Sequence, residues 1–581
     1  MRERRRILSS PLHLAGGLGL DQIGSLVSID ATLRWWEAVG EPGEAAVVSF
    51  AGSLATQHAV QRELAKEGHD RESLGRDAFI DRVRASEAKW RNETADLLCS
   101  LRIDAAGRLA YASTDTAAVV DAARVAFVRL FDAGLLSLAS HVVDVCPRCG
   151  TVVHAADAER GTIEAELLTV RLALSGGGHT DVPVTHPELI AGAVAVAVPP
   201  GDAAEGDDAV LPLLGRRVPV VAAAGVHEPT LVVPAHDAVS YEIAQREGLR
   251  PVEVLDHDGT VCEPAALVGL PRFAARAEAA ALLGAEGVVE ARRPIDDPVS
   301  RCRGCGTVLV PRLGRHWFLR TGPLEVAVAD AVRQGALTFS PPSARNDFIN
   351  WVGYSDDWCI SHQVWGGHPI PVALCTDCGE PSVGIDPPPA CRKCMAELAP
   401  DTAVFDARFL GVIWSLVEAG WPARDSIDDS SRRSTLAVRP GGLFTWAVPM
   451  AAIGLRLAGA MPFSAVVVHE STPPLASESL EGDPTAVRLA LLAGDGVFDI
   501  DAARDLAARI HRPPAGEANL DDLAAAVAAA LDEITPGEAV RALTVALTTG
   551  IAMTERERLG RIAAPLTASD VHEAGGRHGL D

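Results

Sequence analysis

Asn350-Trp351-Val352-Gly353-Tyr354-Ser355-Asp356-Asp357-Trp358-Cys359-Ile360-Ser361-His362-Gln363-Val364-Trp365-Gly366-Gly367-His368-Pro369-Ile370-Pro371-Val372 is the stretch on which the reading of this chain turns. It gathers three tryptophans, two histidines and a Gly-Gly turn into a protein whose aromatic content is only 4%. Trp351, Trp358 and Trp365 read as packing anchors, because large aromatic side chains are buried more often than they serve as ligand contacts.

Working outward, the stretch is followed at once by two Cys-x-x-Cys pairs, Cys375/Cys378 and Cys391/Cys394, on either side of a Pro-rich loop. Two more pairs lie upstream, Cys146/Cys149 and Cys302/Cys305, so eight of the 11 cysteines share this spacing. Two thiolates so placed can share one tetrahedral ion with a second pair, and in a chain without a secretory signal such pairs read as zinc knuckles before disulfides. The expectation is a local zinc ribbon at 375–394 and a bridging site made of Cys146, Cys149, Cys302 and Cys305. The bridging ion would staple the two ends of the intervening segment. Cys99, Cys262 and Cys359 read as buried small hydrophobes.

Toward the N-terminus, a Gly-rich turn leads into a helical pattern between Leu18 and Gly40. A short β run, Ala45–Phe50, precedes a helix from Leu54 closed by Gly68. Strand and helix alternating in this way predict a parallel, doubly wound sheet. From about 150 to 300 the pattern changes to short β runs between Gly and Pro turns, at Leu168–Leu174, Val194–Val198, Val218–Val221 and Thr230–Val233, which predicts a β-rich insert. Beyond Asp499 the chain reads as Ala- and Leu-rich helix.

Length and charge set outer bounds. A chain of 581 residues exceeds what one hydrophobic core holds, so several domains are expected. No run approaches the roughly 20 apolar residues of a membrane span, and no signal-peptide pattern is evident at the start; the expected location is the cytoplasm. A formal net charge of -25 disfavours DNA and nonspecific nucleic-acid binding, which needs clustered Lys and Arg, while leaving room for a local tRNA footprint.

Several blocks carry a family resemblance. Leu54–Val83 contains Ala55-Thr56-Gln57, Leu74-Gly75-Arg76 and Phe79-Ile80-Asp81-Arg82-Val83; Ala126–Leu135 runs on to Val145-Cys146-Pro147-Arg148-Cys149. With Asn350–Val372, Thr402–Pro422 and the strand-like Pro462–His469, these blocks resemble valyl-tRNA synthetase, a class I aminoacyl-tRNA synthetase. The resemblance implies an α/β fold: a class I synthetase-type, Rossmann-like doubly wound parallel sheet interrupted by a β-rich editing-type domain, with zinc knuckles and a short C-terminal helical region. The implied domains are 1–145 and 306–498 for the two halves of the Rossmann-like domain, 146–305 for the editing-like insert and 499–581 for the helical end. Zinc and ATP are the implied cofactors. The implied partners are tRNA or aminoacyl-tRNA and, for a paralogue, another protein.

The motifs that carry the chemistry depart from the family pattern. The His-x-Gly-His motif falls on Gly19-Leu20-Asp21-Gln22, or one residue earlier, with no histidine in either register, while His13 lies a few residues upstream. The two lysine positions of the Lys-Met-Ser-Lys-Ser loop fall on Leu475 and Glu478, and a glutamate there would repel a triphosphate. Ser49-Phe50 stands where the family has Thr-Asp, and the adenosine-side positions fall around Arg439-Pro440-Gly441-Gly442 without a carboxylate. In the editing-like insert, Thr185 and Asp237 match family residues, and Tyr241-Glu242 follows the matching Pro234-Ala235-His236-Asp237. His186 replaces an arginine, Leu189 a second threonine, and Val226-His227-Glu228 a Gly-Thr-Gly turn. Asp237 reads either as the carboxylate that holds a substrate amino group or as a turn or capping residue. Three functions are open at this point: a pseudo-synthetase that binds aminoacyl-tRNA, a nucleotide or a protein partner; a free-standing aminoacyl-tRNA deacylase; and a divergent ATP-dependent ligase or aminoacyl-transfer enzyme of specialised metabolism.

Overall fold

The computed structural model describes residues 5–38, 40–103, 107–352, 357–427 and 433–469, with 488, 489 and 492. Leu475, Glu478 and the expected helical region 499–581 lie outside the described residues. The chain forms two compact units: one takes in Met1–Leu136, Leu319–Ile360 and the chain from Trp365 onward, the other Ser137–Phe318 with Ser361–Val364.

The first unit is built on a six-stranded parallel sheet in the order Thr338–Ser340, Ala465–Val468, Ser434–Val438, Arg5–Ser9, Gly43–Ser49, Leu109–Ser113. The first strand is central. The chain winds from it toward Leu109–Ser113, and later segments fill the other side, which puts the change of winding between Arg5–Ser9 and Ser434–Val438. In open α/β sheets, ligands bind beyond the carboxyl ends of the strands at such a point. Ile7, Leu8, Val47 and Val48 are buried on both faces, which is why these strands read as unbroken apolar runs rather than alternating ones. Helices Leu20–Ala38, Leu54–Lys66 and Arg76–Ser100 pack on one face through a core that includes Ile23, Val60 and Phe79. The second of these helices starts where Ser53 accepts a hydrogen bond from the Thr56 amide.

The second unit is β-rich. The long strands Ala158–Ala173 and Val289–Cys302 pair antiparallel along their length, with Cys302 opposite Ala158, and His179–Val184 extends the sheet. A four-stranded sheet runs in the order Thr230–Val232, Ala195–Val198, Arg217–Ala222, Asp208–Val210. Leu168, Val170, Val182, Val196, Val218 and Leu283 form the core beneath these strands. The chain enters through Leu136–Cys146 and leaves through Val310–Leu319, two strands that pair with each other, so the unit extends beyond the flanking Cys-x-x-Cys pairs on both sides.

Two expectations about buried residues need correction. Cys99 and Cys262 are exposed, and only Cys359 of the three is buried. Cys99 lies on the solvent side of helix Arg76–Ser100, whose inward face is set by Phe79, Val83, Trp90 and Leu98. Trp351, at the end of helix Ala344–Trp351, is 48% exposed and stacks on Phe444 at 4.8 Å instead of entering the core.

Candidate functional site

Helix Leu20–Ala38 begins at the Gly19–Gln22 turn. Gly19 donates its amide to the Gln22 side chain at 3.2 Å, and Gln22 returns its own amide to the Gly19 carbonyl at 2.9 Å. A helix N-terminus is a ready anion site, yet its first turn here carries the Asp21 carboxylate. Asp21 is in turn paired with Arg439, which follows the neighbouring strand Ser434–Val438. Deeper in the same helix, Asp30 receives Arg34 at 2.9 Å and the fully buried Arg488 at 2.7 Å.

Beside this helix start, Phe50 follows strand Gly43–Ser49 and is 5% exposed. Its ring lies 4.5 Å from His13 and 5.4 Å from Trp446. A methyl group added to Gly411 would come within 3.0 Å of both Phe50 and Pro11 and within 3.2 Å of Trp446, so the glycine is what lets these side chains close on one another. His13, the only histidine near the motif in sequence, is thus a ring partner of Phe50 and lies outside the Gly19–Gln22 turn.

The Asn350–Val372 stretch frames this unit. Trp358 donates its indole N–H to Asp406 at 2.9 Å, and Trp365 meets Phe79 edge-on at 5.6 Å with the Arg71 guanidinium 4.9 Å above it. Gly367 has a φ of +138° and approaches Gly52 so closely that a Cβ on Gly52 would sit 2.8 Å from it. His362 shares a 2.8 Å Nε2–Nε2 contact with His154 in the β-rich unit, and Pro369 bridges Val404.

Both cysteine sets converge. The Sγ atoms of Cys146 and Cys149 lie 3.5 and 3.6 Å from that of Cys305, and Cys149, Cys302 and Cys305 fall within one ligand-sized cluster. Cys375–Cys394, Cys378–Cys391 and Cys378–Cys394 are 3.3, 3.7 and 3.5 Å apart. A tetrahedral ion with Zn–S bonds of about 2.3 Å sets ligand sulfurs roughly 3.8 Å apart, whereas a disulfide requires about 2.05 Å. The donor sets therefore fit a tetrahedral metal. Cys305 is held down to about 6 by hydrogen bonds from the Cys146 and Cys149 thiols, and Cys375 to about 6 chiefly by the Cys378 amide; such shifts favour the thiolate that a metal needs.

In the β-rich unit, the editing-like residues are distributed over two places. Thr185 and His186 follow strand His179–Val184. His186 Nε2 lies 3.0 Å from Asp297, a 4%-exposed carboxylate on the long strand Val289–Cys302. Arg276 binds the same Asp297 at 3.2 Å and forks onto the fully buried Glu188 at 2.9–3.1 Å, with Arg272 adding a further contact at 3.5 Å. Burial, reinforced by the Arg276 charge, lowers the His186 pKa. The ring is thus neutral near pH 7, and its contact with Asp297 fixes the Nε2–H tautomer, leaving Nδ1 as the basic atom.

Asp237 has a different partner. It caps helix Ala238–Arg246, its carboxylate accepting the Ser240 amide at 2.6 Å, while its carbonyl accepts the Tyr241 amide at 2.9 Å. The preceding His236 donates from Nδ1 to the Pro311 carbonyl at 3.0 Å and accepts the Val254 amide at 3.2 Å. Sequence reading missed Asp297, Arg272 and Arg276. The available signals were an acidic pair, Asp296-Asp297, inside a strand pattern and two arginines one helical turn apart.

The family model for tRNA synthetases class I (I, L, M and V) matches residues 30–387. The valine–tRNA ligase of Desulfotalea psychrophila is 33% identical over 432 residues, covering 72% of this chain and 48% of that protein. That of Streptomyces coelicolor is 32% identical over 484 residues, covering 80% and 54%. The chain thus spans about half the length of the curated relatives it matches. Among solved structures, a methionyl-tRNA synthetase of Mycobacterium tuberculosis bound by methionyl-adenylate superposes with a TM-score of 0.51 at 11% identity, covering 98% of this chain and 93% of that one. A LeuRS–tRNA–LeuAMS ternary complex from Agrobacterium radiobacter K84 gives 0.50 at 14% identity, covering 100% and 86%. At these identities the two structures bear on the fold alone, and they bear out the class I architecture; the sequence relatives bear out the valyl-tRNA synthetase resemblance. No helix among the described residues is long and apolar enough to cross a membrane.

Proposed function

The chain belongs to the class I tRNA synthetases (I, L, M and V), and on that premise we propose that it binds aminoacyl-tRNA without activating an amino acid. The observation that carries this reading is Phe50. Where the resemblance implies a carboxylate for the substrate ammonium, the chain has an apolar ring packed against His13 and Trp446, with Gly411 and Pro11 closing the same space. Phe50 and the Trp446 ring packed on it offer an ammonium group no counter-charge, and burying one unpaired is strongly unfavourable. The phosphate side supports the same reading. Class I synthetases use ATP, and their chemistry stabilises negative charge at the helix start. Asp21 brings a negative charge of its own to that place, and Arg439 is already engaged with it.

Zinc, held by Cys146, Cys149, Cys302 and Cys305 and by Cys375, Cys378, Cys391 and Cys394, would supply cross-links that fix the ends of the insert and the ribbon. Total tRNA, deacylated or charged, tests the binding reading by fluorescence anisotropy at physiological salt. Saturable binding that favours the charged form supports it, and no binding of either form overturns it.

His186 and Asp297 favour a second reading, hydrolysis of an aminoacyl ester. In it His186 Nδ1 takes a proton from water as the water oxygen attacks the ester carbonyl, and Asp297 holds the ring and stabilises the imidazolium. The tRNA 3′-oxygen leaves and takes the proton back. Mischarged tRNA should then be deacylated by the protein, with the rate falling more than about 100-fold in His186→Ala. A rate unchanged in that variant removes the dyad from the reaction.

A further inference from the structure

A cavity of about 910 Å³ lies in the sheet-containing unit, between helix Arg76–Ser100 and the paired strands Gly43–Ser49 and Leu109–Ser113. Phe50, His13 and Trp446 are not among its lining residues, and of the residues assigned above to amino-acid, nucleotide or metal positions only Ser49 is. The volume is within the range of small-molecule sites, roughly 300–1,000 Å³. Its body is apolar, with Leu12, Leu14, Val47, Leu98 and Ile103 on the walls.

Two observations mark it as more than a packing gap. Thr94 is 7% exposed, and its hydroxyl meets no hydrogen-bond partner among the described residues; the same holds for the Ser113 hydroxyl. Buried hydroxyls are normally satisfied, so each such exception calls for an explanation. The second observation is Arg102. It closes the helix in the left-handed region at φ +54°, with its amide on the Cys99 carbonyl at 3.0 Å and the Ile103 amide on Leu98 at 2.9 Å. Glycine is the residue that makes this closure without strain. The chain instead keeps an arginine there, an exposed residue of the cavity lining with no ion pair among the described residues. Non-glycine residues held in this region cluster at ligand clamps.

Among the described residues, the charges on the cavity lining are two arginines, Arg91 and Arg102, against one carboxylate, Asp115, which stands 3.8 Å from Arg91. An apolar body, two unsatisfied hydroxyls and an excess of one positive charge select a ligand class. We propose that this cavity binds an organic acid with an extended apolar body: its carboxylate meets Arg102, its chain lies along Leu12, Val47 and Leu98, and Thr94 and Ser113 serve a polar group carried along that chain.

Octanoate and its neutral analogue octanamide are suitable probes, titrated calorimetrically into the full chain. The expected result is one saturable octanoate site, with octanamide at least tenfold weaker. Arg102→Ala should abolish the difference between the two probes. Ala95→Trp, at an exposed position on the cavity lining, should abolish binding of both while leaving the melting temperature unchanged. No saturable octanoate binding up to millimolar concentration overturns the proposal. So does octanoate binding of undiminished affinity in both variants. If Ala95→Trp does not fold, the loss of charge preference in Arg102→Ala still decides the matter.

Discussion

Glu188 has no exposed surface, and the fork from Arg276, with Arg272 behind it, supplies the partners a carboxylate buried there needs. Removing one partner of such a buried pair costs about 3–5 kcal/mol, because the other charge remains buried. Glu188→Gln should therefore lower the urea midpoint of the protein sharply, a loss read by circular dichroism. Asp237 is a milder case: Asp237→Ala deletes a helix cap and should cost about 1 kcal/mol in the same assay. His469 follows the edge-side strand Ala465–Val468 and is held down to about 4 by burial. An unfolded histidine titrates near 6.5, so between these values the unfolded chain binds the extra proton. The stability that His469 contributes is full above about pH 6.5 and is lost as pH falls toward 4. The melting temperature of the wild-type protein should accordingly drop more steeply across that window than that of His469→Phe; parallel curves would contradict this.

At the level of elements, the doubly wound sheet was legible at Ala45–Val48, which is buried on both faces and so reads as an unbroken apolar run, whereas Leu109–Ser113 and Thr338–Ser340 keep exposed and half-buried positions and give no such run. The cysteine pairs were legible for a chemical reason: their spacing has few uses in a chain of this kind, and the antiparallel strand pairing that sets Cys302 opposite Ala158 carries it to the start of the long sheet. The His186–Asp297–Arg276 cluster was not legible. His186 stood out through the resemblance, but its partners Asp297 and Arg276 lie on later elements, and neither is marked by its own position in the sequence. Trp351 failed for a related reason, since a tryptophan at a helix end can find a ring partner such as Phe444 at the surface. Metal analysis of the purified protein should find two zinc ions per chain. Cys378→Ser should lose one of them, and Cys149→Ser the other together with much of the stability of the β-rich unit. Full metal content in both variants would contradict the assignment.

For the whole molecule, the fold and the family agree, and the proposed loss of amino-acid activation rests on the residues that stand at the family's motif positions. The sheet order, with its change of winding beside Arg5–Ser9, leaves the crevice where class I chemistry takes place. On the proposed reading, Phe50, Asp21 and Arg439 stand where the resemblance implies the groups that serve an amino acid and a phosphate. Whether a bound amino acid is activated is read most directly by ATP–pyrophosphate exchange on the full chain, with each of the twenty amino acids in turn. No exchange above the enzyme-free rate is predicted with any of them, valine included. Exchange dependent on valine, or on any one amino acid, would contradict the account.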